Sequence, residues 1–266
     1  METNAKTNQK EVLIIMPAYN EEYNIGQVLE SIDNSDWADL ADVLVMNDAS
    51  TDHTAQIVRK DHHMVVTHIF NLGYGNGLQL GYKYAARKGY RYLIQMDADG
   101  QHDICNVPLI YEKLKETDDE GHTPDFVLGA RFMEGSAPFK TSVFKKIAYA
   151  FFRRIIKGIT GKRIADPTTG LQGLSRRAFV FCSKYNQFED KYPDANVIIQ
   201  MSLLGFRVEE IPAVMHIRES GVSMHSGIIG PCRYMIRMFI SILAVFYRIK
   251  ILKWYQKPIV DDAADF

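Results

Sequence analysis

The feature that most constrains this chain is a repeated unit in its first 115 residues: a short apolar run, a polar or acidic stop, then a segment with helical periodicity. The runs are residues 12–16 (VLIIM), 41–48 (ADVLVMND), 65–70 (VVTHIF) and 90–99 (YRYLIQMDAD). Apolar runs of this length suit strands buried on both faces. After the first run, Ile25, Val28, Leu29 and Ile32 recur at helical spacing, and Asn24 with Gln27 three residues on offers a cap. Residues 50–60 and 76–89 read as further helices, the second stopped by Gly89. Strict alternation calls for right-handed crossovers and an α/β fold with a mostly parallel sheet between helices. Ligands of such a sheet gather beyond the carboxyl ends of its strands.

The second half continues with a helix at 107–115, an acidic solvated connection (TDDEGHTPD) and a strand at 125–132. A basic, aromatic helix follows at 145–161, then a loop (DPTTGLQGLSRRAF) leading into another helix, and one further strand at 205–217. With 266 residues, 47% of them hydrophobic, the chain can bury one large core or two packed halves. A formal charge of −1 provides no global field for nucleic acid, so an electrostatic partner must meet a local patch. Cys105, Cys182 and Cys232 are far apart and lack metal-ligand spacing, which reads as reduced, buried thiols in a reducing compartment. The polar start, METNAKTNQKE, has no basic-then-apolar pattern, and the expected location is cytoplasmic.

Strand ends of a parallel sheet share one rim, so residues 17–22, Asp48 and the pair Asp97 and Asp99 are expected to meet in space. An Asp-x-Asp pair leaving a strand can hold Mg²⁺ or Mn²⁺ through hard oxygen ligands while positions stay open for substrate phosphates. Such an ion can take up the charge of a departing diphosphate. The competing reading makes Asp97 a turn cap and Asp99 a solvated side chain. Gly75, Gly77 and Gly81 loosely mimic a dinucleotide fingerprint, but the third spacing is wrong and the motif follows the third strand. The glycines are therefore read as permitting close approach of a helix to the sheet or to a ligand.

Together, MPAYNEEYNIGQVLESI, VMNDASTDHTAQIV, NLGYGNGLQLGYKYA and YLIQMDADGQHD resemble the inverting glycosyltransferases of family 2 with the GT-A fold. The likeness is strongest to the dolichyl or polyprenyl phosphate sugar transferase branch and covers about residues 12–223. It implies that Pro17, Tyr19, Asn20, Glu21 and Asp48 hold the nucleotide, with Gly75 close by, and that Asp97, Asp99 and Gln101 hold the metal. Arg131, in GARF, would face phosphates, while Arg218 and Ser223 would close over the nucleotide diphosphate. Asp166 would position the nucleophile, and Asp194, where relatives often have glutamate, is the second candidate for a base. The chain departs from the family at Asn47 (for aspartate), at Lys145 and Lys146 (for an arginine and a serine), at Gln172 (for arginine) and at Met224 (for lysine).

Lys140, Lys145, Lys146, Arg153, Arg154 and Lys157 gather among apolar residues, which favours an anionic acceptor. Residues 231–256 are strongly apolar, yet the longest uncharged stretch, 238–247, is too short to span a bilayer. Arg233, Arg237, Ser241 and Arg248 fall on one helical stripe with a wide apolar face, Lys250, Lys253 and Trp254 lying nearby. A helix of that kind either lies in the headgroup region of an anionic leaflet or packs on the core or a subunit.

The expected organisation is a GT-A domain over 1–230, with a nucleotide-sugar half at about 11–103 and an acceptor half at about 104–230, then an amphipathic tail at 231–266. The expected activity is metal-dependent, inverting transfer of a hexose or N-acetylhexosamine from a nucleotide sugar, with uracil the first-choice base, to a polyprenyl phosphate. Such lipid sugars serve cell-surface polysaccharide or glycoconjugate assembly, and the expected place is the inner face of the membrane. A membrane surface is the expected docking partner, with a small membrane protein or a second subunit as further options. The alternatives are transfer to a glycan hydroxyl with Asp166 or Asp194 as base, a non-catalytic nucleotide-binding scaffold and, more distantly, a nicotinamide-dependent oxidoreductase.

Overall fold

β1 (Val12–Ala18) runs through the centre of the sheet because it offers apolar side chains to both faces. Leu13 and Ile15 join the core on one side, and Val12, Ile14 and Met16 the core on the other. The computed structural model describes residues 10–139, 141–217 and 229–253. Lys140, Arg218, Ser223, Met224 and Trp254, singled out above, lie outside them.

β2 (Ala41–Asn47) and β4 (Tyr92–Gln95) pair with β1 in parallel, and β3 (Met64–Thr67) extends the sheet beyond β2. With β5 (Phe126–Ala130), β6 (Gln172–Ser175) and β7 (Val208–Pro212), the seven strands lie in the order β3-β2-β1-β4-β6-β5-β7. α1 (Ile25–Asp33), α2 (Thr54–Lys60) and α4 (Asn106–Lys115) cover one face through Val28, Val58 and Ile110. α3 (Tyr74–Lys88), α5 (Val143–Thr160), α6 (Arg176–Ser183), α7 (Ala195–Leu203) and α8 (Ile229–Phe246) lie on the other. A π-helical turn, Tyr247–Ile251, continues α8.

The stripe expected on α1 is the one buried, and Gly89 ends α3 in the left-handed region at φ +83°. Three differences matter. Residues 172–175, expected in a loop, form β6, antiparallel to both β4 and β5, so the alternation breaks in the second half. Its four residues, QGLS, carry no apolar run, and Gly173 is there because a Cβ would collide with Ile110 of α4. α2 begins at Thr54 rather than at residue 50, because residues 50–53 form a turn bonded to the loop after β1. β4 stops at Gln95, which leaves Asp97 and Asp99 on a loop rather than on the strand. Cys182 is buried as expected, whereas Cys105 is exposed at the start of α4. No helix among the described residues is long and apolar enough to cross a membrane.

Candidate active site

The loops after β1 and β2 are laced together. Asn20 adopts φ +56°, which asparagine tolerates, and its amide N–H donates to Ser50 Oγ (3.0 Å) while its side-chain oxygen accepts from the Thr51 N–H (2.8 Å). The Glu21 N–H donates to Thr54 Oγ1 (2.9 Å), and the Glu22 N–H to Asp52 Oδ2 (3.0 Å). Tyr19 stands exposed beside Pro17 at this rim, and Glu21 Oε2 accepts from Asn24 Nδ2 (2.7 Å). Asn47 is buried, donating to Thr67 Oγ1 and accepting from the Ser50 N–H, so its amide ties the end of β2 to its neighbours.

Asp48 anchors the third loop. Its Oδ1 accepts from the Leu72 N–H (2.8 Å) and lies 2.8 Å from His68 Nδ1, while Oδ2 accepts from the Gly73 N–H (2.8 Å). This holds the start of α3 against the end of β2. At Gly75 a Cβ would strike the backbone of Glu189 and Asp190, so the missing side chain lets the start of α3 pack against that segment. Gly81 likewise abuts Ile15 and Met46, so these glycines serve packing and the dinucleotide-fingerprint reading falls.

Asp97 is held by a polar chain that begins in the core. Tyr82 Oη donates to Gln95 Oε1 (2.8 Å), Gln95 Nε2 donates to Tyr74 Oη (3.1 Å), and Tyr74 Oη donates to Asp97 Oδ1 (2.9 Å). Burial and the Asp97 charge push the Tyr74 phenol well above its ordinary pKa, so it stays a donor. Gly170 leaves room for the carboxylate, since a Cβ there would sit 2.5 Å from Asp97 Oδ2. His102 accepts from the Asp97 N–H at Nδ1 (3.0 Å), and burial lowers its pKa to about 4, so it is neutral. Asp99 Oδ1 accepts from the Gln101 N–H (3.1 Å), while Gln101 Nε2 bonds the His216 carbonyl (3.3 Å). Gln101 thus joins the Asp-x-Asp turn to the segment after β7, which His216 also fastens through Asp103 (2.7 Å). Asp97 and Asp99 offer hard oxygen donors from one loop and are both partly exposed, a donor set that fits Mg²⁺ or Mn²⁺.

Arg131 organises the segment between β5 and β6. Its Nε donates to Asp166 Oδ2 (2.6 Å) and Nη2 to Asp166 Oδ1 (2.8 Å), and Nη2 also reaches Thr168 Oγ1 (2.9 Å). The guanidinium lies over the rings of Phe132, Phe139 and Tyr149. Burial alone would lower its pKa, but the Asp166 hydrogen bonds and charge outweigh that and raise it. Asp166 is fully buried and accepts from the Arg131 N–H (3.0 Å) as well. Its carboxylate is therefore committed to structure rather than placed as a base.

Asp194 precedes α7, and its Oδ2 accepts from Tyr234 Oη (2.7 Å) on α8. Burial pushes its pKa up to about 6, with Asp97 and Asp166 adding to the rise and Arg131 opposing it. Asp194, Asp97 and Arg131 are thus near enough to one another for their charges to interact. Tyr74, Gln95, Glu210 and Tyr234 were not anticipated. Glu210, for example, accepts from the N–H groups of Ala165 and Asp166 and sets the Asp166 loop. Only an unusual polar residue in an apolar segment, such as Gln95 in β4, could have signalled them. Two surface hollows lie elsewhere: one of about 630 Å³ between α4 and β7, and one of about 210 Å³ near Lys10 and Met64.

A mixed sheet of this order, with an Asp-x-Asp turn at the carboxyl end of β4, defines a GT-A glycosyltransferase. The chain belongs to the family Glycosyl transferase family 2, whose sequence model matches residues 13–181. It is 27% identical over 227 residues to the polyprenol monophosphomannose synthase of Mycolicibacterium smegmatis, covering 81% of each chain. It is 28% identical over 234 residues to the undecaprenyl-phosphate mannosyltransferase of Micrococcus luteus, covering 82% of this chain and 89% of that one. Among solved structures, it matches a mannosyltransferase from Pyrobaculum calidifontis in complex with GDP-Man and Mn²⁺ at TM-score 0.61 and 18% identity, over 97% of this chain and 74% of that one. It also matches glucosyl-3-phosphoglycerate synthase from Mycobacterium tuberculosis in complex with Mn²⁺ and UDP-Glc at TM-score 0.63 and 17% identity, over 89% of this chain and 78% of that one.

Proposed function

We propose that this glycosyltransferase moves a hexose from a nucleotide sugar to a polyprenyl phosphate in one in-line displacement with inversion. The observation that carries this reading is the Asp97 and Asp99 pair at the rim, one carboxylate fixed by Tyr74, in a chain whose α5 carries Lys145, Lys146, Arg153, Arg154 and Lys157. The named polyprenyl-phosphate relatives support the acceptor, and the structural neighbours holding Mn²⁺ with a nucleotide sugar support the donor and the ion. Those neighbours hold GDP-Man in one case and UDP-Glc in the other, so guanine stands beside uracil as a candidate base.

Asp97, Asp99 and Gln101 would hold Mg²⁺ or Mn²⁺, which stabilises negative charge on the departing diphosphate. Tyr19, Asn20 and Glu21, fixed to the second loop, would line the nucleotide, with Pro17 beneath them and Asp48 holding the α3 loop in place. Arg218 and Ser223 remain candidates for closing over the diphosphate. A lipid phosphate is anionic at neutral pH and attacks the anomeric carbon without giving up a proton. Lys145 and Lys146, exposed at the start of α5, would orient it, while Arg131 keeps the floor of the acceptor side in shape.

One observation favours a second reading, transfer to a glycan hydroxyl: Asp194, at about 6, has a pKa suited to a general base near neutral pH. Radiolabelled donors tested against short polyprenyl phosphate and against soluble glycans separate the two. A labelled lipid supports the first reading, and label found only in glycans selects the second.

A further inference from the structure

α5 and α8 lie side by side, with the rings of Phe151 and Phe239 6.2 Å apart. α8 packs Met238, Ile242 and Val245 inward, and on its opposite stripe Ile236, Ile240 and Leu243 are 62%, 59% and 51% exposed. α5 adds Ile147 at 60%. A contiguous apolar face of this kind is rare on a soluble monomer and marks an interaction surface. Its charges have one sign: residues 136–165 and 229–253 contain no Asp or Glu. Lys146, Arg154, Lys157, Arg233 and Lys250 are exposed on these helices.

We infer that this two-helix face docks flat on an anionic bilayer. The apolar stripe would sit at the acyl boundary and the lysines and arginines among the headgroups, as expected of helices that lie in the interface without crossing it. A partner protein of ordinary mixed charge would not require two adjacent helices without a single acid; an anionic lipid surface does. The inner side of α8 explains what docking achieves. Tyr234 Oη donates to Asp194 Oδ2 (2.7 Å), and Ser241 Oγ donates to Glu189 Oε2 (2.6 Å). One helix therefore meets lipid on one side and holds the Asp194 loop on the other, about one helix diameter, ~10 Å, from the membrane. That step rests on the lipid-acceptor reading; the docking itself does not.

The test is flotation of the full-length protein, without substrate, on vesicles of phosphatidylcholine alone and of phosphatidylcholine with phosphatidylglycerol. The protein should float with the anionic vesicles, less so in high salt. Ile240→Glu, on an exposed position, should weaken partitioning roughly tenfold without moving the thermal melt. Lys146→Gln and Lys157→Gln should weaken it by about fivefold each. Wild-type protein that stays at the bottom with both vesicle types overturns the proposal. So does a sedimentation profile showing a dimer that Ile240→Glu splits in the absence of flotation, since the face then belongs to a second copy. Failure to label polyprenyl phosphate in solution would instead overturn the acceptor and leave the docking result standing.

Discussion

Arg131 and Asp166 form a two-pronged ion pair, Nε to Oδ2 at 2.6 Å and Nη2 to Oδ1 at 2.8 Å, under an aromatic cover. The pair joins the end of β5 to the loop before β6, so it sets the shape of that loop. Removing one member leaves the other charge buried and unmatched. Asp166→Ala should lose about 3–5 kcal/mol of stability, read from the midpoint of urea unfolding. Arg131→Lys should lose part of this as well, because an ammonium cannot reproduce the fork.

Asp99→Asn should abolish transfer while the fold survives. Asparagine keeps an oxygen to accept the Gln101 N–H but gives up the negative charge that a divalent ion requires. Transfer rates with a thermal melt alongside check this. Chelation of wild-type protein should abolish transfer too, and added Mn²⁺ should restore it.

Tyr74→Phe removes the hydroxyl that fixes Asp97 Oδ1. The altered carboxylate should raise the Mn²⁺ concentration for half-maximal activity by about 10–100-fold, the usual effect of losing a group that orients a ligand. A change in overall rate with no change in Mn²⁺ dependence would show that the hydroxyl acts otherwise.

Asp194 carries a pKa raised to about 6, above the unfolded carboxylate value near 4. Between those values the folded state binds more protons than the unfolded one, so this group makes the protein less stable as pH rises through that window. Asp194→Asn removes the burdened charge and should stabilise the metal-free protein at pH 7 by about 1–2 kcal/mol, with little change at pH 4. Thermal melts at the two pH values check the sign. If the acceptor is a hydroxyl, the same variant should also lose transfer; with a lipid phosphate, transfer should persist.

Much of this was legible along the chain. The apolar runs before Pro17, Asp48 and Asp97 announced strands, and their order carried the rim, because parallel strands bring their carboxyl ends together. β6 was not legible: QGLS is buried by its neighbours rather than by its own hydrophobicity, and Gly173 and Gly170 gain meaning only once Ile110 and Asp97 press on them. The job of Asp166 was hidden for a similar reason. Its partner Arg131 lies 35 residues away, and nothing in the spacing pairs the two. Tyr234 is one aromatic residue among many in an apolar tail, and only packing reveals that its hydroxyl finds Asp194.

The most direct measurement is product analysis after incubation with a panel of nucleotide sugars, GDP-mannose and UDP-glucose among them, with Mn²⁺ and short-chain polyprenyl phosphate. The expected result is a single labelled glycolipid phosphate with inverted anomeric configuration, absent from the Asp99→Asn variant. A product with retained configuration, or equal labelling by Asp99→Asn, would contradict the account.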